Sequence, residues 1–119
     1  MEHSKEFLEL AEAAQSRVKE ISVEEAREKV KSGAALIDVR EDDEFAAGHA
    51  RDAKHIGRGV IERDIIGAFP DKNAELILYC GGGYRSALAA DNLQKMGYTN
   101  VLSMVGGLAA WTDAGAPTE

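Results

Sequence analysis

The chemistry this sequence can do is concentrated in one segment, Leu76-Ile77-Leu78-Tyr79-Cys80-Gly81-Gly82-Gly83-Tyr84-Arg85-Ser86. The apolar run before Cys80 predicts a buried strand. In open α/β sheets the C-terminal end of a strand is where ligands bind. Three successive glycines let the backbone curl so that its amides point into one concavity, a nest that holds anions without side chains. The helix predicted to follow adds the partial positive charge of its N-terminus. Arg85 adds a permanent cation with a planar fork of donors. Each feature stabilises negative charge at the Cys80 sulfur, and the thiolate is the nucleophilic form of cysteine. The same cradle suits a persulfide, itself an anion at neutral pH, and an oxyanion sulfur donor such as thiosulfate. A cysteine without such neighbours is usually a small buried hydrophobe. The joint pattern of strand, thiol, glycines and guanidinium is what points to chemistry.

The bulk composition narrows the classes. Cys80 is the single cysteine, so an internal disulfide, a CxxC redox pair and a multi-thiolate metal site are excluded. The residues imply no cofactor and no metal. The formal net charge of -7 disfavours nucleic acid and anionic lipid as partners. No apolar run reaches about eighteen residues, so no bilayer-spanning helix is expected. The stretch MEHSKEFLEL has no apolar signal core. A cytoplasmic protein in a reducing compartment is the expectation. With 119 residues and 45% hydrophobic residues, one domain with its own core is expected.

The elements that must position the segment can be read from periodicity. Residues 4–19 predict an amphipathic helix with Phe7, Leu10, Ala11, Ala14 and Val18 on one face. That helix could pack on the domain or contact a partner. Ser22 and Glu25 form a capping box that starts a second helix, which ends near Gly33. Ile21 suggests a short edge strand, and residues 34–39 a strand buried on both faces. Glu41 to Glu44 open a short helix containing Phe45. A short strand at 54–56, a helix over 58–68, a strand at 76–79, a helix over 84–96 and a strand at 101–105 follow. Gly106-Gly107 turn the chain into a last short helix, and the tail from Gly115 is expected to fray. Alternating strands and helices imply a parallel sheet with helices on both faces.

The segment resembles the rhodanese family, and so do two other motifs. Ala35-Leu36-Ile37-Asp38-Val39-Arg40, followed by Glu44-Phe45 and Gly48-His49, is similar to that family's LIDVR and EF…GH signatures. Val105-Gly106-Gly107 with Trp111 is similar to its closing GG…W signature. The resemblance runs from about Ile21 to Trp111. It implies an α/β three-layer sandwich, a five-stranded parallel sheet between helices. The N-terminal helix would form an extension over residues 1–20, the domain would cover 21–115, and 116–119 would be a tail. The resemblance also implies that Cys80 carries sulfur, that Gly81, Gly82, Gly83, Tyr84 and Arg85 form the loop that binds the sulfur or its donor, and that Asp38, Arg40 and Ser86 support the site. A structural ion pair is expected for Arg40, with Asp38, Glu41 or Glu44. His49 is expected to be structural, Trp111 to lie in the core, and His3 and His55 to lie at the surface.

The sequence departs from the family pattern at Gly48-His49-Ala50-Arg51-Asp52-Ala53, where the turn is more polar. It departs again in the all-glycine start of the loop, which leaves few side chains to select a donor. Three functions are in play. The first is a thiosulfate sulfurtransferase that passes sulfur through a Cys80 persulfide to cyanide or a thiol, which could sit on a thioredoxin-like protein. The second is phosphatase or arsenate reductase chemistry. Related phosphatases share the fold but place five residues between cysteine and arginine, and four lie between Cys80 and Arg85 here. The third is a binding module or sulfur carrier without turnover.

Overall fold

A computed structural model describes residues 3–119; Met1 and Glu2 of the N-terminal extension lie outside the described residues. Eleven elements follow one another: α1 (Lys5–Arg17), β1 (Lys19–Ile21), α2 (Val23–Lys31), β2 (Ala35–Asp38), α3 (Asp42–Ala47), β3 (Lys54–His55), α4 (Ile61–Ala68), β4 (Leu76–Tyr79), α5 (Tyr84–Lys95), β5 (Val101–Met104) and α6 (Gly107–Asp113). The five strands form one parallel sheet in the order β1-β5-β4-β2-β3. Its register pairs Ala35 with Leu76 and Asp38 with Tyr79, so the ends of β2 and β4 lie level.

Period-two alternation splits the core into two layers. Leu76 and Leu78 of β4 face one cluster, built with Ala14 and Val18 at the end of α1, Ile61 and Ile65 of α4, and the alanines of α5. Ile77 and Tyr79 face the other, with Val23 and Ala26 of α2, Met104 of β5 and Trp111 of α6. β4 is buried on both faces, as a central parallel strand must be.

The strand order creates the crevice. From β2 the chain moves outward to β3, and from β4 it moves the opposite way to β5. The C-terminal ends of β2 and β4 therefore diverge at a topological switch point, where ligands bind in open α/β sheets. Residues 38–44 leave one side of that point and residues 80–86 the other.

Four expectations need correction. The fourth helix starts at Ile61, not Arg58. Residues 57–60 instead form a turn closed by the Val60 N–H donating to the Gly57 carbonyl, and Arg58 N–H donates to the Val39 carbonyl. Leu10 is 55% exposed, because α1 buries only its Ala11 and Ala14 line against α5. His55 is half-buried rather than at the surface: its ring stacks on Phe45 and its Nε2 hydrogen-bonds the Arg40 carbonyl at 2.8 Å. The tail does not fray. Ala116 is buried, the Trp111 indole N–H donates to the Pro117 carbonyl at 2.7 Å, and Glu119 and His49 exchange backbone hydrogen bonds.

Candidate active site

β4 delivers Cys80 to the crevice, and α5 begins four residues later. Between them Gly83 adopts φ +111°, a backbone conformation that residues with a Cβ rarely hold. That twist aims the Gly83 N–H at the Cys80 Sγ, 3.0 Å away. Among the described residues it is the one loop amide that bonds the sulfur. Gly81 and Gly82 shape the curl without contributing such a bond. On the other side, the Ser86 hydroxyl lies 3.7 Å from Sγ, donates to the Gly83 carbonyl at 3.2 Å, and shares a 2.8 Å hydrogen bond with Ser103. Ser86 and Ser103 are fully buried, so β5 helps fix the hydroxyl beside the sulfur.

The loop is held from below by backbone. The Leu108 N–H donates to the Cys80 carbonyl at 2.7 Å. Gly107, at φ +56°, comes so close that a Cβ there would sit 2.2 Å from the Cys80 oxygen and 2.7 Å from Gly81. Only glycine fits at that approach. The Gly106-Gly107 motif is thus a seat for the loop.

Arg85 lies at the pocket with its guanidinium paired to Glu44, Nη1 to Oε1 at 2.6 Å and Nη2 to Oε2 at 3.1 Å. The pair spans the crevice, joining the first turn of α5 to α3. Arg85 holds the Glu44 carboxyl down at about 2, chiefly through this hydrogen bond, while Glu44 and the Cys80 sulfur raise the Arg85 guanidinium. The cation beside the sulfur is therefore shared with a carboxylate.

Asp38 and Arg40 form a separate buried pair. Arg40 Nε and Nη2 donate to the Asp38 carboxylate at 2.8–3.1 Å, and Nη2 also donates to the Gly48 carbonyl at 2.7 Å. Tyr79 turns its face towards the Arg40 guanidinium and accepts the Ala50 N–H at 3.0 Å. Burial and the neighbouring Asp38 push its phenol well up. Asp38, Arg40 and Tyr79 thus fix the loop after α3 and, through α3, Glu44. Arg40 does not line the Cys80 pocket, and neither does His49, whose ring stacks on Phe45 at 3.7 Å.

That pocket has a volume of about 570 Å³ and is lined by His3, Phe7, Glu44, Arg58, Cys80, Gly82, Tyr84 and Arg85. Cys80 is only 1% exposed, so its sulfur is the floor. Sequence reasoning misses several of these positions. It gives Phe7 only a packing face, gives His3, exposed as expected, no place at the pocket, and places Arg58 in a helix. It finds Glu44 in its motif but not as the partner of Arg85. Ser103 escapes it, although a serine inside the apolar run Val101–Met104 is a visible signal of a buried polar contact.

Comparisons with known proteins agree with this architecture. Residues 22–114 match the family model of the rhodanese-like domain. The chain is 33% identical over 120 residues to the senescence-associated protein DIN1 of Raphanus sativus, covering 92% of this chain and 65% of the relative. It is 34% identical over 99 residues to the putative sulfur carrier protein YrkF of Bacillus subtilis, covering 82% of this chain and 52% of the relative. The chain thus spans one-half to two-thirds of the length of those two proteins. It is 32% identical over 102 residues to the thiosulfate sulfurtransferase GlpE of Haemophilus influenzae, covering 85% of this chain and 94% of that one. Among solved structures, a Rhodopseudomonas palustris protein described as a possible tyrosine phosphatase superposes with TM-score 0.84 at 28% identity, covering 100% of this chain and 98% of that one. The polysulfide-sulfur transferase of Wolinella succinogenes superposes with TM-score 0.82 at 26% identity, covering 95% of this chain and 86% of that one.

Proposed function

This chain belongs to the rhodanese-like family, and from that premise we propose that it is a sulfurtransferase carrying sulfane sulfur on Cys80 as a persulfide. The observation that supports this reading most is the Gly83 N–H directed at the Cys80 Sγ from 3.0 Å, with Arg85 at the same pocket. A donor with a terminal sulfane sulfur, such as thiosulfate, presents that sulfur to the thiolate. The new Cys80 S–S bond forms as the donor's S–S bond breaks, and sulfite leaves with the electron pair. The Gly83 amide and the Arg85 guanidinium stabilise the anionic persulfide left behind. Cyanide or a thiol, free or on a thioredoxin-like protein, then attacks the outer sulfur and returns Cys80 as thiolate. The reaction is covalent catalysis in two half-reactions. A reducing, cytoplasmic setting belongs to this reading, because the free thiol at Cys80 must persist between turnovers.

The name of the Bacillus subtilis relative favours a second reading, a carrier that receives and hands on the persulfide without turning over thiosulfate. The name of the Rhodopseudomonas palustris neighbour raises phosphatase chemistry. The short loop argues against the latter, since four residues between Cys80 and Arg85 make a smaller ring of amides than five. Steady-state turnover separates the three. Thiocyanate released from thiosulfate and cyanide, with parallel double-reciprocal lines, supports the sulfurtransferase. Cys80→Ala should abolish it. Phosphate released from an aryl phosphate without thiocyanate would overturn it.

A further inference from the structure

The pocket above Cys80 is much larger than a thiosulfate ion requires. Its volume of about 570 Å³ lies in the range that accommodates whole organic ligands, roughly 300–1,000 Å³. Its walls are unequal. One side is aromatic: the Phe7 and Tyr84 rings meet edge to face at 6.0 Å, and His3 packs against both, at 4.9 and 5.3 Å. Another side carries Arg58. Among the described residues Arg58 makes no ion pair, in contrast to Arg85, which is tied to Glu44. The floor is the Cys80 sulfur.

The aromatic side exists because α1 is fastened to α5. Ala11 and Ala14 are fully buried. Arg17 grips Asp91 with two hydrogen bonds, at 3.0 and 2.7 Å, and Gln94 donates to the Arg17 carbonyl at 3.1 Å. Arg17 in turn lowers the Asp91 carboxyl through those bonds. With its C-terminal end anchored, the helix carries Phe7 up to Tyr84, at the first turn of α5.

We propose that α1 completes the donor site, and that the Phe7–Tyr84 wall, together with the Arg58 cation lining the same pocket, selects organic sulfane-sulfur anions, R–SO2–S⁻ or R–S–S⁻ with an apolar or aromatic R group, over inorganic thiosulfate. This rests on the sulfurtransferase reading above and names its substrate class. The chemistry balances. For a thiosulfonate, the Cys80 thiolate attacks the terminal sulfur, the new Cys80 S–S⁻ anion forms, and the sulfinate R–SO2⁻ departs with the electrons of the broken bond. For an organic persulfide the leaving group is the thiolate R–S⁻. The R group lies against aromatic carbon, where water would otherwise be trapped against apolar surface. Arg58 offers its guanidinium to the anionic end.

The test uses the full chain with cyanide as acceptor and thiocyanate as readout. The donors are benzenethiosulfonate, methanethiosulfonate and thiosulfate. Because the two sulfinate leaving groups differ intrinsically, the quantity compared is the ratio of kcat/KM for the phenyl over the methyl donor. Phe7→Ala should lower that ratio by about 3- to 10-fold, the worth of one aromatic contact. Its effect on thiosulfate kcat/KM should be smaller than its effect on the phenyl donor, because thiosulfate has no R group to lose. Phe7→Leu keeps an apolar contact to α5 and removes the ring, so it should lower the ratio too even if Phe7→Ala folds poorly. Arg58→Gln should weaken all three anionic donors together. An unchanged ratio in both Phe7 variants overturns the inference. So does a Phe7 effect of equal size on all three donors, which would mark a merely structural helix. Absence of thiocyanate from every donor with the wild-type protein would overturn the sulfurtransferase reading itself, a different failure.

Discussion

At Arg85 the positive charge near the sulfur is shared with Glu44. Removing the guanidinium subtracts a cation and also strands a carboxylate at the mouth of the pocket. Arg85→Ala should therefore lower thiosulfate–cyanide kcat/KM by about 100-fold, in the range of one electrostatic donor. The double variant Glu44→Gln/Arg85→Ala should recover part of that loss, because it removes the stranded negative charge; a double-mutant cycle on kcat/KM measures the coupling. The pair also sets a pH window. The Glu44 carboxyl is depressed from its ordinary 4.5 to about 2 in the folded protein. A depressed carboxylate contributes stability that is fully present above the unfolded value and is lost as pH falls through the folded one. The difference in urea midpoint between wild type and Arg85→Ala should accordingly hold steady from about pH 8 to 5 and shrink between about pH 4.5 and 2. Sequence reading finds Arg85 and Glu44 separately but cannot join them, because they lie 41 positions apart and the contact depends on where α3 lands.

Among the elements, the junction of β4, its loop and α6 carries the tightest constraint. Gly107 touches the Cys80 and Gly81 backbone, which cannot retreat without dragging the Cys80 loop. Gly107→Ala should destabilise the fold by about 2–4 kcal/mol, combining overpacking with left-handed strain, and should reduce turnover in the fraction that remains folded. Gly67 in α4 is exposed, and a methyl group added there would meet nothing within 4 Å, so it is the control. Gly67→Ala should stabilise by about 0.5 kcal/mol in the same urea titration. The strands and most helices are readable from alternation and caps. Ser22 caps α2 through the Glu25 amide, and α5 runs from Tyr84 as its alanine stripe suggests. The start of α4 is not readable. Val60, Ile61, Ile65 and Ile66 continue a helical pattern back into residues 57–60, where Gly57 and Gly59 and a hydrogen bond to Val39 impose a turn instead. That turn is what brings Arg58 to the pocket.

At the scale of the whole molecule, the sheet order brings the ends of β2 and β4 together at the switch point, and the two ends of the described chain pack on opposite faces of the sheet. α1 packs on α5 and reaches the pocket, a placement that periodicity leaves open between the domain and a partner. The C-terminal tail pairs with residues 49–51 and buries Ala116 on the opposite core. Residues such as Gly115, Thr118 and Glu119 give no sign of that pairing, since the hydrogen bonds are mostly backbone bonds. Deleting residues 116–119 should cost about 1–3 kcal/mol in urea denaturation, because the Trp111 indole and the His49 backbone lose their partners. Turnover should stay within about twofold, since the tail lies outside the Cys80 pocket. If the thiol at the pocket floor holds a sulfur atom, intact-protein mass spectrometry after incubation with thiosulfate reads it directly. The expected result is a gain of one sulfur atom, about 32 Da, which cyanide removes and which Cys80→Ala never acquires. A wild-type mass unchanged by thiosulfate and by organic persulfides, or a gain that persists in Cys80→Ala, would contradict sulfur transfer through this residue.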